Sequence, residues 1–368
     1  MSSTDQIEEE KKTDISESWL LEKYPAAFRK LLIDHSRPKD ADGNRHYIIW
    51  ATDSYSHLGQ GYGVNDEITP ERIVGDHGNI IQPRASKSKE EQSKRVKDKA
   101  EVFTPSWICN AQNNLIDEAW FGRPDVFNRE VTLEDGSHSW IPTEGKIEFS
   151  DEKGKTWRDY VKDIRLEITC GEAPYLVSRY DTVTGERIDD LNRRIGILDR
   201  KLRVVGENVH TPDLWRKWAK LALEATYGYD WLGDNLVLAR EALLISVFEY
   251  HRAKFGKEIS RNSVEGLAYR ISWNIWQMDG LKYVIPGSCD WPECKKRRDD
   301  GQLGEMFIEF EDKSAPSECP ACKIGKGEHR GYPAKIRDWK AYNDSRRKKD
   351  EYKINIEFTR LLNNDKKG

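Results

Sequence analysis

The sequence predicts an α/β fold in which strands and helices alternate along the chain. The stretch "IRLEITCGEAPYL" at 164–176 has the outline of a strand that enters a tight turn. The stretch "YGYDWLGDNLVLAREALL" at 227–244 predicts a short strand, a turn at Gly233 and a long helix from Asp234 to about Lys254. Two close cysteine pairs follow, which indicates a separate metal-binding module.

Length and composition limit the class of protein. The 368 residues suffice for one large domain or two moderate ones, and 34% of them are charged. No run approaches the length of apolar sequence that a membrane span needs, and "MSSTDQIEEEKKTDISESW" at the N-terminus lacks a signal segment. We therefore expect a cytoplasmic protein without a membrane partner, in which residues 1–16 form a solvated tail.

The charge pattern bears on nucleic-acid binding. A net charge of −4 argues against a chain that is basic throughout, but it allows a local basic patch. Basic residues cluster at 83–99, 294–298 and 344–353. Each run is ordinarily a solvated face, and a surface that contacts phosphates is the alternative.

The segment 17–100 predicts a small α+β region. Residues 17–35 carry a helical apolar pattern that Pro25 interrupts, and 84–100 predicts a charged helix. Between them, "HYIIWATDSYSHLGQGYG" at 46–63 predicts a buried strand and a glycine-rich turn.

Helix signals then recur downstream. Thr104 fits an N-cap, Pro105 fits the first helical position, and the apolar face ends near Gly122. Because a helix N-terminus has free N–H groups, we expect this one to face an anionic ligand. A second helix is predicted at 211–228, from a Thr-Pro start to a stop at Gly228.

Two segments are predicted to be insertions. Residues 129–160 predict hairpins and 178–210 an irregular stretch. Whether they contact DNA or brace the fold stays open.

The cysteine pairs predict a zinc ribbon at 286–345. Cys289 and Cys294 lie in "CDWPEC", and Cys319 and Cys322 lie in "CPAC". Tetrahedral zinc needs four such ligands, and each pair supplies one tight turn around the ion. Four cysteines leave no open coordination position, so we expect structural zinc.

The turn at 168–173 and Asp230 fit one logic. A parallel sheet binds adenosine cofactors at the carboxyl ends of its strands, where a glycine turn approaches the ligand and an acid holds the ribose hydroxyls. Gly171 supplies the glycine and Asp230 the acid. Alone, an aspartate at a strand end is more often a helix cap.

Together with an upstream Phe-Thr-Pro motif, these residues resemble S-adenosylmethionine-dependent adenine-N6 DNA methyltransferases. The similarity is greatest to the modification subunits of bacterial restriction–modification systems, and the whole chain is similar to bacterial proteins labelled "restriction endonuclease subunit M". The matching residues are Phe103-Thr104-Pro105, Cys170-Gly171, Tyr227-Gly228-Tyr229-Asp230, Leu238-Ala239-Arg240 and Asn274-Ile275 with Asp279 and Leu281.

The resemblance implies a Rossmann-like methyltransferase sheet with insertions over 101–285, followed by the zinc module and a basic C-terminal segment at 346–368. It implies S-adenosylmethionine as cofactor, double-stranded DNA as substrate, and a restriction or specificity subunit as a further partner. The implied cofactor contacts are Phe103, Thr104, Pro105, Cys170 and Gly171 at the methionine, Asp230 at the ribose, and Asp279 at the adenine. Glu172 replaces a glycine of the family and would place a carboxylate near the carboxylate of the ligand.

The catalytic tetrapeptide of the family, Asn/Asp-Pro-Pro-Tyr/Phe/Trp, does not occur in the sequence. It binds and stacks on a flipped adenine. Asp338 and Trp339 are weak substitutes, as are Asp53-Ser54-Tyr55, which would require a permuted motif order; capping or packing is the alternative role.

Two functions therefore stay open: an active methyltransferase, and a silent methyltransferase-like subunit that binds DNA or a partner. A nuclease is disfavoured because we find no convincing Asp…Glu-x-Lys pattern.

Overall fold

The structure is a computed structural model that describes residues 17–99, 101–296, 318–324, 327–344 and 354–363. The predicted tail at 1–16 and most of the basic run at 344–353 lie outside the described residues. The described part is a mixed α/β protein with small sheets. Within these ranges, no helix is both long enough and apolar enough to cross a membrane.

The helices follow one another along the chain with few long interruptions. They are α1 (Glu17–Lys23), α2 (Pro25–Leu32), α3 (Lys89–Lys99), α4 (Ser106–Phe121), α5 (Trp157–Lys162), α6 (Ile197–Asn208), α7 (Pro212–Glu224), α8 (Gly233–Phe255), α9 (Arg261–Asn274), α10 (Pro292–Lys296), α11 (Pro320–Ile324), α12 (Trp339–Asp344) and α13 (Phe358–Asn363).

The strands are short and form three small sheets. They are β1 (Asn128–Thr132), β2 (His138–Pro142), β3 (Arg165–Glu167), β4 (Thr226–Asp230), β5 (Ile275–Gln277), β6 (Lys335–Arg337) and β7 (Asn355–Glu357). The pairs β1–β2 and β6–β7 are antiparallel, and the third sheet has the order β3-β4-β5.

Strands β3 and β4 are parallel, with Arg165 opposite Thr226 and Glu167 opposite Gly228. A parallel pair needs a long crossover connection, which here contains helices α6 and α7. Lys201 of α6 is buried, and its Nζ donates to the carbonyl oxygens of Asp163 (2.6 Å) and Ala225 (2.8 Å), just before the two strands. Burial, reinforced by the charge of Arg165, lowers the pKa of Lys201 to about 7.

The chain divides into two compact units that are interleaved in sequence. The first comprises Met1–Leu32, Thr69–Gly228 and Asp234–Ile275, and the second comprises Ile33–Ile68, Tyr229–Gly233 and Trp276–Gly368. The segments expected from the sequence were contiguous, and the structural division does not follow them.

The first unit has a helical core around α8. This helix is apolar on nearly all sides, as expected for a buried helix, and Leu236, Leu243 and Val247 are inaccessible to solvent. The fully buried Arg240 donates to the carbonyl oxygens of Ile275 (2.8 Å), Ser272 (3.2 Å) and Leu31. It thereby satisfies carbonyl groups at the ends of α2 and α9 that their own helices leave unpaired.

The predicted strand at 46–63 is wrong in part. Only isolated bridges form there, between Ile33 and Tyr47 and between Ile49 and Glu67. The backbone N–H and C=O of Ile49 are instead bound by the side-chain amide of Gln277, at 2.9 and 2.8 Å. An amide side chain thus takes the place of a neighbouring strand.

The predicted helix stop at Gly228 is also wrong. Helix α7 ends at Glu224, and Gly228 lies inside β4. A Cβ at Gly228 would lie 3.2 Å from Cys170 and Leu176, so the glycine serves close packing there.

Candidate functional site

Four side chains of the second unit form a compact candidate metal centre. The ligand atoms of Cys289, Cys319, Cys322 and His329 all lie within 4.8 Å of one another. The Nδ1 atom of His329 is 3.8, 4.0 and 3.4 Å from the Sγ atoms of Cys289, Cys319 and Cys322, respectively. This group could hold a metal ion such as zinc.

The distances fit a tetrahedral ion. Zinc bonds of about 2.3 Å to sulfur and about 2.0 Å to nitrogen place the two ligand atoms roughly 3.6 Å apart at a tetrahedral angle. Burial opposes ionisation of Cys319, but backbone N–H groups of Arg330 and Cys322 outweigh it and lower the pKa of this thiol to about 6. The local backbone therefore favours the thiolate that a metal requires.

The backbone around the centre is tightly connected. Arg330 donates from Nε to the carbonyl oxygen of Cys289 (2.8 Å), and the N–H of Tyr332 donates to Ser288 Oγ (3.1 Å). A Cβ on Gly331 would lie 2.4 Å from that same Oγ. These contacts bring the His329 segment back against the segment that contains Cys289.

Cys294 does not join the centre, so the predicted four-cysteine ligand set is corrected. Its segment turns into α10, and Cys294 is buried in an apolar cluster with Ile49, Trp291 and Tyr332. His329 completes the group instead. The available signal was a histidine shortly after "CPAC", in "CKIGKGEHR".

The turn after β3, where the sequence predicts cofactor contacts, has an unusual backbone. Thr169, Gly171 and Ala173 have φ values of +47°, +54° and +62°. Two of the three are not glycine, so the surrounding structure holds them in a disfavoured region.

The structure brings two of the predicted cofactor residues together at this turn. The Cε1 atom of Phe103 is 3.9 Å from the position that a Cβ of Gly171 would occupy. The backbone carbonyl of Thr104 is used internally, accepting from Thr182 Oγ1 at 3.0 Å. Cys170 is buried and packs against Gly228.

The helix start was predicted one residue early, and its expected ligand is internal. Pro105 is the N-cap of α4, and the N–H of Ser106 donates to Asp181 Oδ2 at 2.7 Å. Burial opposes ionisation of Asp181, but the N–H groups of Ser106, Thr184 and Val183 outweigh it and lower its pKa. The anion at this helix N-terminus is therefore Asp181.

Glu172 does not point a free carboxylate at a ligand. It is buried, and its carboxylate accepts from the N–H of Arg84 (2.6 Å) and from the hydroxyl of Tyr180 (2.5 Å). Burial raises its pKa, partly opposed by these bonds.

The predicted ribose and adenine contacts belong to the second unit. Asp230 is buried at the end of β4 and accepts from the N–H of Leu232 at 2.8 Å. Asp279 is buried just past β5 and accepts from the N–H groups of Leu281 (2.9 Å) and Lys282 (3.0 Å). Both carboxylates thus cap local turns.

The weak catalytic candidates have packing and capping contacts. Asp338 Oδ1 accepts from the N–H of Ala341 (2.9 Å) at the start of α12, and Trp339 is buried against Arg337. In the other candidate segment, Tyr55 is buried and its ring lies 4.5 Å from that of Trp50.

No protein-family model, no curated protein and no solved structure matches this chain.

Proposed function

We propose that this protein binds S-adenosylmethionine through a methyltransferase-like sheet and methylates adenine N6 in double-stranded DNA. The observation that carries the proposal is the order β3-β4-β5, in which a candidate contact follows each strand. The strained turn with Gly171 follows β3, Asp230 ends β4, and Asp279 lies just past β5. Ligands of open α/β sheets bind outside the carboxyl ends of the strands, which supports this assignment.

Each residue would have a defined role. Phe103 and Gly171 would contact the methionine part, and Asp230 would accept hydrogen bonds from the ribose hydroxyls. When bound, S-adenosylmethionine supplies an electrophilic methyl group. A restriction or specificity subunit is the further partner that this function would require, in the cytoplasm.

A silent methyltransferase-like subunit is the second candidate function, and one observation favours it. Trp339 is 4% exposed, whereas an aromatic that stacks on a flipped base must present its face to the ligand. Asp338 already caps α12. A subunit that binds the cofactor without transferring the methyl group would show both features.

We further propose that Cys289, Cys319, Cys322 and His329 hold structural zinc. Four protein ligands complete a tetrahedral shell and leave no position for substrate. Three thiolates and a neutral imidazole would give the centre a net negative charge. Lys282, which hydrogen-bonds Cys322, would balance that charge.

Methyl transfer decides between the two functions. Unmethylated double-stranded DNA is incubated with the zinc-loaded protein and with S-adenosylmethionine carrying a labelled methyl group. Label in N6-methyladenine supports the enzyme, provided that Asp230→Ala abolishes it and Asp213→Ala, an exposed acid at the start of α7, does not. Cofactor binding without transfer to any tested DNA supports the silent subunit.

A further inference from the structure

Arg84 is a cation without an acidic partner beside the candidate cofactor turn. Its guanidinium carbon lies 4.9 Å from the centroid of the Phe103 ring. Among the described residues, no group accepts a hydrogen bond from its buried Nε, and none forms an ion pair with its side chain. A guanidinium stacked by its face keeps its edge donors available for a planar anion.

Phe103 connects this cation to Gly171. The ring that Arg84 covers is also the ring that approaches Gly171 to within 3.9 Å of a hypothetical Cβ. Around Gly171, residues of positive and negative φ alternate from Thr169 to Ala173. Alternation of this kind makes a concave backbone, a shape that binds anions in other proteins.

The acid that would repel an anion is withdrawn from this turn. Glu172 is 3% exposed, and its two carboxylate oxygens accept from the Arg84 N–H and the Tyr180 hydroxyl. Lys87, the other buried cation nearby in sequence, lies 3.7 Å from Asp234. Arg84 is therefore the cation available to a ligand at the turn.

We propose that Arg84 binds the carboxylate of the methionine part of S-adenosylmethionine. The inference rests on the proposed function and assigns a residue to the amino-acid end of the cofactor. A carboxylate suits the site better than a DNA phosphate, because Arg84 is half-buried and its Nε is inaccessible to solvent. The planar fork of arginine matches a carboxylate through two parallel hydrogen bonds.

The test compares ligands with and without the carboxylate. Titration calorimetry measures S-adenosylmethionine and decarboxylated S-adenosylmethionine against wild type and Arg84→Gln. We expect Arg84→Gln to weaken S-adenosylmethionine by about 10- to 100-fold, the range for a charge-assisted pair. The decarboxylated ligand should bind the two proteins equally.

Two further variants control for folding and for loss of charge. Arg123→Gln removes another arginine that covers a phenylalanine, at 5.8 Å from the Phe121 ring, and should bind both ligands as wild type does. Arg84→Lys keeps the charge but not the fork, so it should show an intermediate loss and allows the test even if Arg84→Gln does not fold.

The contrary outcomes are distinct. Unchanged S-adenosylmethionine affinity in Arg84→Gln overturns the inference and leaves the proposed function standing. Equal weakening of both ligands overturns it in favour of a structural role, and a loss of DNA affinity alone assigns Arg84 to phosphate. If wild type binds neither ligand, the proposed function itself fails.

Discussion

At the residue scale, His329 and Cys294 exchange the roles that cysteine spacing suggests. His329 lies within 3.4–4.0 Å of three thiol sulfur atoms, whereas Cys294 packs in an apolar cluster. Both are single side chains of the same unit. They form a matched pair for testing the metal centre.

We predict that His329→Ala loses the bound metal and that Cys294→Ala retains it. The first change removes one of four ligands, while the second removes only packing. Zinc per chain, measured by atomic spectroscopy after purification, should be near one for wild type and Cys294→Ala. A metal-free Cys294→Ala alongside a zinc-loaded His329→Ala would restore the four-cysteine ligand set.

A buried pair of acids predicts a pH-dependent stability. Glu241 is 1% exposed, and among the described residues neither of its carboxylate oxygens has a hydrogen-bond partner. Burial, and then the charge of Glu17, raises its pKa well above the usual range. Burial also raises the pKa of Glu17 from 4.5 to about 7.

Because the folded state holds these protons more tightly, stability should fall as pH rises from about 4.5 through about 7. Urea denaturation at pH 5 and pH 8 should show this fall in wild type, and the double variant Glu17→Gln with Glu241→Gln should reduce it. Glu22→Gln, at an exposed position of α1, should behave as wild type. The same pH dependence in wild type and the double variant would contradict the assignment.

At this scale, residue type predicted more than residue role. Three of the four metal-centre ligands follow from the cysteine pairs, but counting to four stops before His329. Glu172 and Asp181 were not assigned their roles because their partners, Tyr180 and Ser106, meet them only after folding.

At the element scale, local signals predicted helix boundaries well where the cause is local. The interruption at Pro25, the start after Thr211 and the end at Gly122 all appear in the structure. The strand expected at 46–63 and the stop at Gly228 failed because Gln277 and Cys170, distant in sequence, decide the local structure. Period and capping rules contain no such information.

Two glycines of α6 test how packing and propensity differ. A Cβ at Gly196, the N-cap, would lie 2.5 Å from the carbonyl oxygen of Leu176, whereas a Cβ at Gly206 meets nothing within 4 Å. We predict that Gly196→Ala destabilises the protein by about 1–3 kcal/mol, as overpacking does. Gly206→Ala should stabilise it by about 0.5–1 kcal/mol, because alanine is the better helix former.

Chemical denaturation of both variants checks this pair in one experiment. Equal effects of the two substitutions, in either direction, would show that the close approach at Gly196 is not maintained in solution.

At the scale of the whole molecule, the sequence predicts an α/β protein but not how the chain is distributed between units. The second unit takes three separate segments, one of which is only Tyr229–Gly233. Contiguous boundaries drawn from composition cannot yield such a division. The short stretch contains Asp230, so the strand end that carries the predicted ribose contact is also a crossing point of the chain.

The central claim is that the sheet β3-β4-β5 supports a cofactor site, and calorimetric titration of S-adenosylmethionine tests it most directly. The sample is the folded, zinc-loaded full chain, with Asp230→Ala as the paired variant. We predict micromolar binding by wild type and its loss in Asp230→Ala. No binding by wild type, or undiminished binding by the variant, would contradict the account.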